Sequence, residues 1–83
     1  MYKVKIRKVA IKQLSKLPIK EALWLSKELR KLAVNPRPEA CKKLKGFKNK
    51  YRIRVGNYRA IYTIEDKILI VEITKIGDRK NIY

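Results

Sequence analysis

The sequence contains no histidine, which removes the commonest general acid–base residue from any chemistry the chain performs. Cysteine is almost as scarce. Cys41 stands alone among 83 residues, so there is neither an internal disulfide nor a thiolate pair for zinc, and it reads as an ordinary half-buried thiol. Acids are few and dispersed, 7 Asp and Glu against 23 Lys and Arg, and no carboxylate cluster suited to Mg²⁺ is visible. Neither a metal nor any other cofactor is expected. No apolar run approaches the roughly 20 residues that span a bilayer, the longest being Ile68 to Val71. Met1-Tyr2-Lys3-Val4-Lys5-Ile6 alternates and has no signal-peptide core. A cytoplasmic location without membrane association is therefore expected.

What the chain has is positive charge. The formal net charge is +16, and so one-sided a balance repels itself in the compact state and calls for a polyanionic or acidic partner. Apolar residues make up 46% of the sequence, enough for a thin core, so residues 1–83 are expected to fold as one domain rather than stay disordered.

Tyr2 to Arg7 reads as a first strand with Tyr2, Val4 and Ile6 on one face. A short helix follows, with Ala10, Leu14 and Leu17 in register. Pro18 suits the first turn of a second helix, which is predicted from about 19 to 34 with Ile19, Ala22, Leu23, Leu25, Leu29, Leu32 and Ala33 as its apolar stripe. Asn35-Pro36 stops it. A polar, lysine-rich linker over residues 37–49 leads to three strands, at 50–55, 58–64 and 67–76. Gly56-Asn57 forms a two-residue hairpin turn, and Glu65-Asp66 is read as the second turn. The order β-α-α-β-β-β predicts an α+β fold, with a helical hairpin packed on one face of a small, mostly antiparallel four-stranded sheet.

The hairpin turn fixes a register in which Val55 faces Tyr58, Arg54 faces Arg59 and Arg52 faces Ile61. Tyr51, Ile53, Val55, Tyr58, Ala60, Tyr62 and Ile64 then share the core face, while Lys50, Arg52, Arg54 and Arg59 share the other. Like charges directly opposite one another cost a sheet about 0.2–1 kcal/mol per pair. An anion between two guanidiniums reverses that cost, since they bind phosphate oxygens bidentately. The plainer reading, arginines splayed on a solvated face, is weakened by the absence of any acid from Cys41 to Ile64. Glu72 falls opposite Arg59 if Glu65-Asp66 is a two-residue loop. Arg79, Lys80 and Tyr83 add two cations and a ring beyond Gly77.

Tyr51-Arg52-Ile53-Arg54-Val55-Gly56-Asn57-Tyr58-Arg59-Ala60-Ile61-Tyr62, with Ile76-Gly77-Asp78-Arg79 and the closing Ile82-Tyr83, strongly resembles the RelE toxins of the RelE/ParE superfamily. Leu14–Lys16–Leu17–Pro18, Asn35-Pro36-Arg37-Pro38 and Leu44-Lys45-Gly46 fit as well, so the resemblance covers nearly the whole chain. It implies the toxin of a type II toxin–antitoxin pair, a metal-independent endoribonuclease that cuts mRNA on the ribosome by attack of the ribose 2′-hydroxyl on the adjacent phosphate. The implied catalytic residues are Arg52, Arg54, Arg59, Arg79 and Tyr83, with Lys45, Lys48, Lys50 and Lys80 along the RNA. The implied partners are an acidic, RelB-like antitoxin that forms a hetero-oligomer with the toxin, and the ribosome with its mRNA. The free toxin is expected to be a monomer. The best-known members carry lysines where Arg52 and Arg54 stand, which moves proton transfer toward Tyr83 or Lys50. Asp78 likewise replaces a residue that relatives often keep basic. The alternatives are a ParE-like toxin that poisons gyrase and an inert basic module that binds RNA or ribosomes.

Overall fold

A computed structural model describes residues 1–78; Arg79, Lys80 and Tyr83 lie outside the described residues. The alternation at the N-terminus gives strand β1 (Lys3–Ile6), followed by helices α1 (Lys8–Ser15) and α2 (Ile19–Arg30) and a 3₁₀ turn at Lys31–Ala33. Strands β2 (Cys41–Lys43), β3 (Lys50–Val55), β4 (Tyr58–Glu65) and β5 (Ile70–Asp78) complete the chain. Pro18 is the N-cap of α2, and its carbonyl accepts the Ala22 N–H at 2.9 Å.

The sheet has five strands in the order β1-β5-β4-β3-β2, correcting the expected four. The extra strand is β2, three residues inside the lysine-rich linker that pair with Tyr51–Ile53 of β3. Its Cys-Lys-Lys sequence carries no period-2 apolar signal, so only its neighbour makes it a strand. The sheet is also mixed: β1 runs parallel to β5, with Val4 beside Val71, and the other pairings are antiparallel. The first strand thus pairs with the last, across the helices and three intervening strands.

The core lies between the helices and one sheet face. Ala10, Leu25, Leu29 and Leu32 meet Ile53, Val55, Ala60, Tyr62, Ile64, Val71, Ile73 and Ile76. The expected stripe on α2 is narrower than its composition suggests, because Ile19 and Leu23 face outward, 72% and 65% exposed. On β5 the buried residues break alternation, with Ile73 and Ile76 three apart. A bulge explains this: Tyr62 pairs with Ile73 but Ile61 with Lys75, leaving Thr74 as the extra residue. The Thr74 hydroxyl donates to the Ile61 carbonyl at 3.1 Å across the irregularity. Beyond the end of β1, the Ile76 N–H donates to the Gln13 side-chain oxygen of α1 at 2.6 Å, so a backbone donor that lacks a strand neighbour is satisfied by a helix.

The second turn spans residues 66–69 rather than two residues, since Glu65 pairs with Ile70. Ile68 and Leu69 are therefore turn residues, 64% and 46% exposed, although they read as strand by apolarity alone. Leu69 has φ 54°, a conformation costing about 1–2 kcal/mol for a residue with a Cβ, and its carbonyl accepts the Lys3 N–H at 2.8 Å. Asp66 in this turn accepts Arg37 through both carboxylate oxygens, at 2.8 and 3.3 Å, and the Tyr2 hydroxyl at 2.6 Å. Arg37 also donates to the Tyr51 hydroxyl at 3.2 Å and lies over its ring. One carboxylate thus ties the N-terminus, the linker and a sheet turn together.

Two outcomes follow. The fully buried Tyr62 donates to the Pro36 carbonyl at 2.7 Å, and burial, followed by Cys41 alongside, pushes its phenol far up. Tyr62→Phe keeps the ring but leaves that carbonyl unsatisfied, an expected loss of about 1–3 kcal/mol, read by urea denaturation. The hydrogen bond from Arg37, reinforced by Tyr2, holds the Asp66 carboxyl below its ordinary range. With the folded-state pKa below the unfolded one, this stabilisation is complete above about pH 5 and is lost as pH falls through the folded-state value. Thermal melts of wild type and Asp66→Asn are therefore expected to differ at neutral pH, with the wild type higher, and to converge as pH falls through the folded-state value.

Candidate nucleic-acid interface

The first hairpin decides where the cations stand. Gly56 takes φ 61°, the first position of a two-residue turn that demands glycine. A Cβ there would also come within 2.8 Å of the Trp24 ring, so the position is fixed both by the turn and by the helix over it. The resulting register pairs Arg54 with Arg59, Arg52 with Ile61 and Lys50 with Thr63, as the sequence predicts. Ile53, Val55 and Ala60 are buried on the helical side, which places the three arginines on the other.

The neighbouring strands extend these pairs into rows. Lys42 of β2 lies beside Arg52, and Ile61 beside Lys75 of β5, giving a row Lys42–Arg52–Ile61–Lys75. Next to it runs Arg54–Arg59–Gly77, in which Gly77 contributes no side chain beside Arg59. Lys42 and Lys75 were missed in the sequence because their places depend on the short strand β2 and on the β5 bulge. The spacing of Val71, Ile73 and Ile76 was the available signal for that bulge.

Arg54 is exposed, whereas Arg52 and Arg59 are half-buried with their Nε atoms shut off from solvent, and each has a partner within the chain. Arg54, Gly56, Asn57, Tyr58 and Arg59 line a recess of about 40 Å³ at the hairpin tip. The Tyr58 hydroxyl donates to Glu21 in the first turn of α2 at 2.5 Å, and that hydrogen bond is the main cause raising its pKa. Asp78 lies opposite Tyr58, one step from Arg59. Glu72 is not opposite Arg59: the four-residue turn sets it beside Thr63, and its carboxylate takes Arg7 at 3.4 Å.

The lysines expected along the RNA are dispersed. The Lys50 ammonium sits 4.4 Å from the Phe47 ring centroid, on the edge of the arginine face. Lys45 and Lys48 are exposed in the loop between β2 and β3. Among the described residues, no group of three or more His, Cys, Asp or Glu comes together, and no helix is long and apolar enough to cross a membrane.

A small mixed sheet with a helical pair on one face and arginine rows on the other defines a small basic α+β protein with a cationic sheet face. A family model described as the ParE toxin of type II toxin–antitoxin systems matches residues 4–83. The chain is 35% identical over 82 residues to a RelE-like toxin protein of Escherichia coli, covering 95% of this chain and 84% of that one. It is 32% identical over 87 residues to a RelE toxin of Methanocaldococcus jannaschii, covering 99% and 94%. The archaeal RelE in a RelE–RelB complex from Pyrococcus horikoshii superposes with a TM-score of 0.83 at 32% identity, over 96% of this chain and 97% of that one. The chain belongs to the RelE/ParE toxin family of type II toxin–antitoxin systems, and within it is RelE-like.

Arg54→Ala separates binding from stability. Removing one of two facing cations is expected to raise stability by up to about 1 kcal/mol. In the same variant the salt dependence of single-stranded RNA binding should fall by about 0.7 in log–log slope, the loss of one phosphate contact. Denaturation and fluorescence-anisotropy titrations at several salt concentrations check the two effects.

Proposed function

We propose that residues 1–83 act as one toxin domain of a type II toxin–antitoxin pair, an endoribonuclease that cleaves mRNA on the ribosome in the cytoplasm. The observation that carries this reading is the packing of Arg52, Arg54 and Arg59 with Lys42 and Lys75 onto one sheet face, a density of like charge that a phosphate backbone offsets. Single-stranded RNA threaded across the rows sets a scissile phosphate against Arg54 and Arg59. Arginine keeps its proton, so these residues stabilise the charge that builds on the phosphate as the ribose 2′-hydroxyl attacks it. Arg79 supplies a further cation to the same phosphate, and the Tyr83 phenol takes the part of proton transfer that arginine cannot. Lys45, Lys48, Lys50 and Lys80 bind the flanking backbone. The solved RelE–RelB complex of the Pyrococcus relative supports an antitoxin partner for this chain, and the +16 charge suits an acidic one.

The ParE description of the matching family model favours one second reading, inhibition of DNA gyrase. Ribosomes carrying a defined mRNA, incubated with the protein, separate the two. Cleavage mapped to the decoding site supports the nuclease; intact mRNA together with blocked gyrase supercoiling overturns it. In the same assay Arg79→Ala is expected to abolish cleavage without lowering the melting temperature, and retained cleavage would remove Arg79 from the site.

A further inference from the structure

The loop between β2 and β3 carries the chain's single phenylalanine, Phe47, 51% exposed and outside the core cluster. A lone exposed apolar side chain is ordinary on a protein surface, but Phe47 is held in place and paired with charge. The loop is fastened at both ends. The Leu44 N–H donates to the Lys50 carbonyl at 2.9 Å, the Ile64 N–H donates to the Asn49 carbonyl at 3.1 Å, and the Asn49 side-chain amide donates to Glu65 at 2.6 Å. Between these ties Gly46, at φ 84°, makes the left-handed bend that glycine adopts freely, and Phe47 follows it at the surface. The Lys50 ammonium lies 4.4 Å from the ring centroid, within the range of a cation–π contact. Lys50 shares its strand face with Arg52 and Arg54, so the ring stands at one end of the arginine rows.

Charge decides what such a ring receives. Lys45 and Lys48 are exposed in the same loop, and no acid occurs from Cys41 to Ile64. Protein interfaces are enriched in aromatic residues but depleted of lysine, whereas single-stranded nucleic acids are held by rings and cations together, bases on the one and phosphates on the other. We infer that Phe47 is a stacking platform for a nucleobase of single-stranded RNA, with Lys50 against one side of the ring and the base against the other. The inference rests on the RNA reading of the arginine face and adds a base-binding subsite to it. Lys50 and Arg54 lie four residues apart on β3, about 13 Å at about 3.3 Å per residue, so the stacked base belongs to a nucleotide flanking the scissile phosphate. Every base has a π face, so the platform holds the strand in place without selecting its sequence.

With a single phenylalanine in the chain, 4-fluorophenylalanine places one ¹⁹F label on this ring. Titration of the labelled protein with single-stranded RNA should move that resonance, and a fully abasic RNA of the same length and charge should move it far less. In fluorescence anisotropy at fixed salt the wild type should prefer the base-bearing RNA to the abasic one. Phe47→Leu, which keeps apolar bulk but has no π face, should cut that preference at least about fivefold, and Phe47→Trp should keep or raise it. The salt dependence of binding should be the same in Phe47→Leu as in the wild type, since no cation is lost. A preference for bases that survives Phe47→Leu undiminished overturns the platform and leaves the RNA reading of the arginine face standing. A wild-type protein that binds neither RNA overturns both.

Discussion

The register of the β3–β4 hairpin is the constraint on which the site depends. A two-residue turn at Gly56-Asn57 leaves no freedom in which residue faces which, and the period-2 alternation then sorts the two strands into opposite faces. Ile53, Val55, Ala60 and Tyr62 go to the core, while Arg52, Arg54 and Arg59 go to the other side. A slip of one residue would bury three guanidiniums and expose the centre of the core, at a cost far above any local repulsion between arginines. The apolar face therefore holds the charged face in place, and Trp24 against Gly56 locks the turn to α2.

The same coupling of core to charge recurs at β5. Its bulge keeps both Ile73 and Ile76 buried while turning Lys75 toward the arginines. Thr74 and Gln13 supply the hydrogen bonds that an irregular strand would otherwise lack. The four-residue turn before β5 sets Glu72 beside Thr63 rather than opposite Arg59, and its carboxylate takes Arg7. Core packing thus has an electrostatic result: it concentrates cations in two rows.

Much of this was legible in the residues because it is local. The turn at 56–57, the alternation around it and the family resemblance of the Tyr51–Tyr62 segment each sit within a dozen consecutive positions. The helices were equally plain from their 3.6-residue period. The errors fall where pairing overrides local character. Ile68 and Leu69 are apolar but form a turn, and Cys41-Lys42-Lys43 has no strand pattern but completes the sheet through β3. Ile19 and Leu23 fit the stripe of α2 but lie outside the core. In each case a neighbour distant in sequence decides, and propensity is the weaker term.

By itself the sequence determined the hairpin register, and with it Arg52, Arg54 and Arg59 on one face, because side-chain alternation across a two-residue turn has a single solution. It also determined the net charge of +16, since net charge does not depend on fold. Only the tertiary structure decided that the sheet is mixed and five-stranded, that Lys42 and Lys75 join the arginines, and that Glu72 does not. These depend on pairing between residues far apart in the chain, where the burial of Val71, Ile73 and Ile76 against the helices fixes β5 and the side chains at its outer face follow.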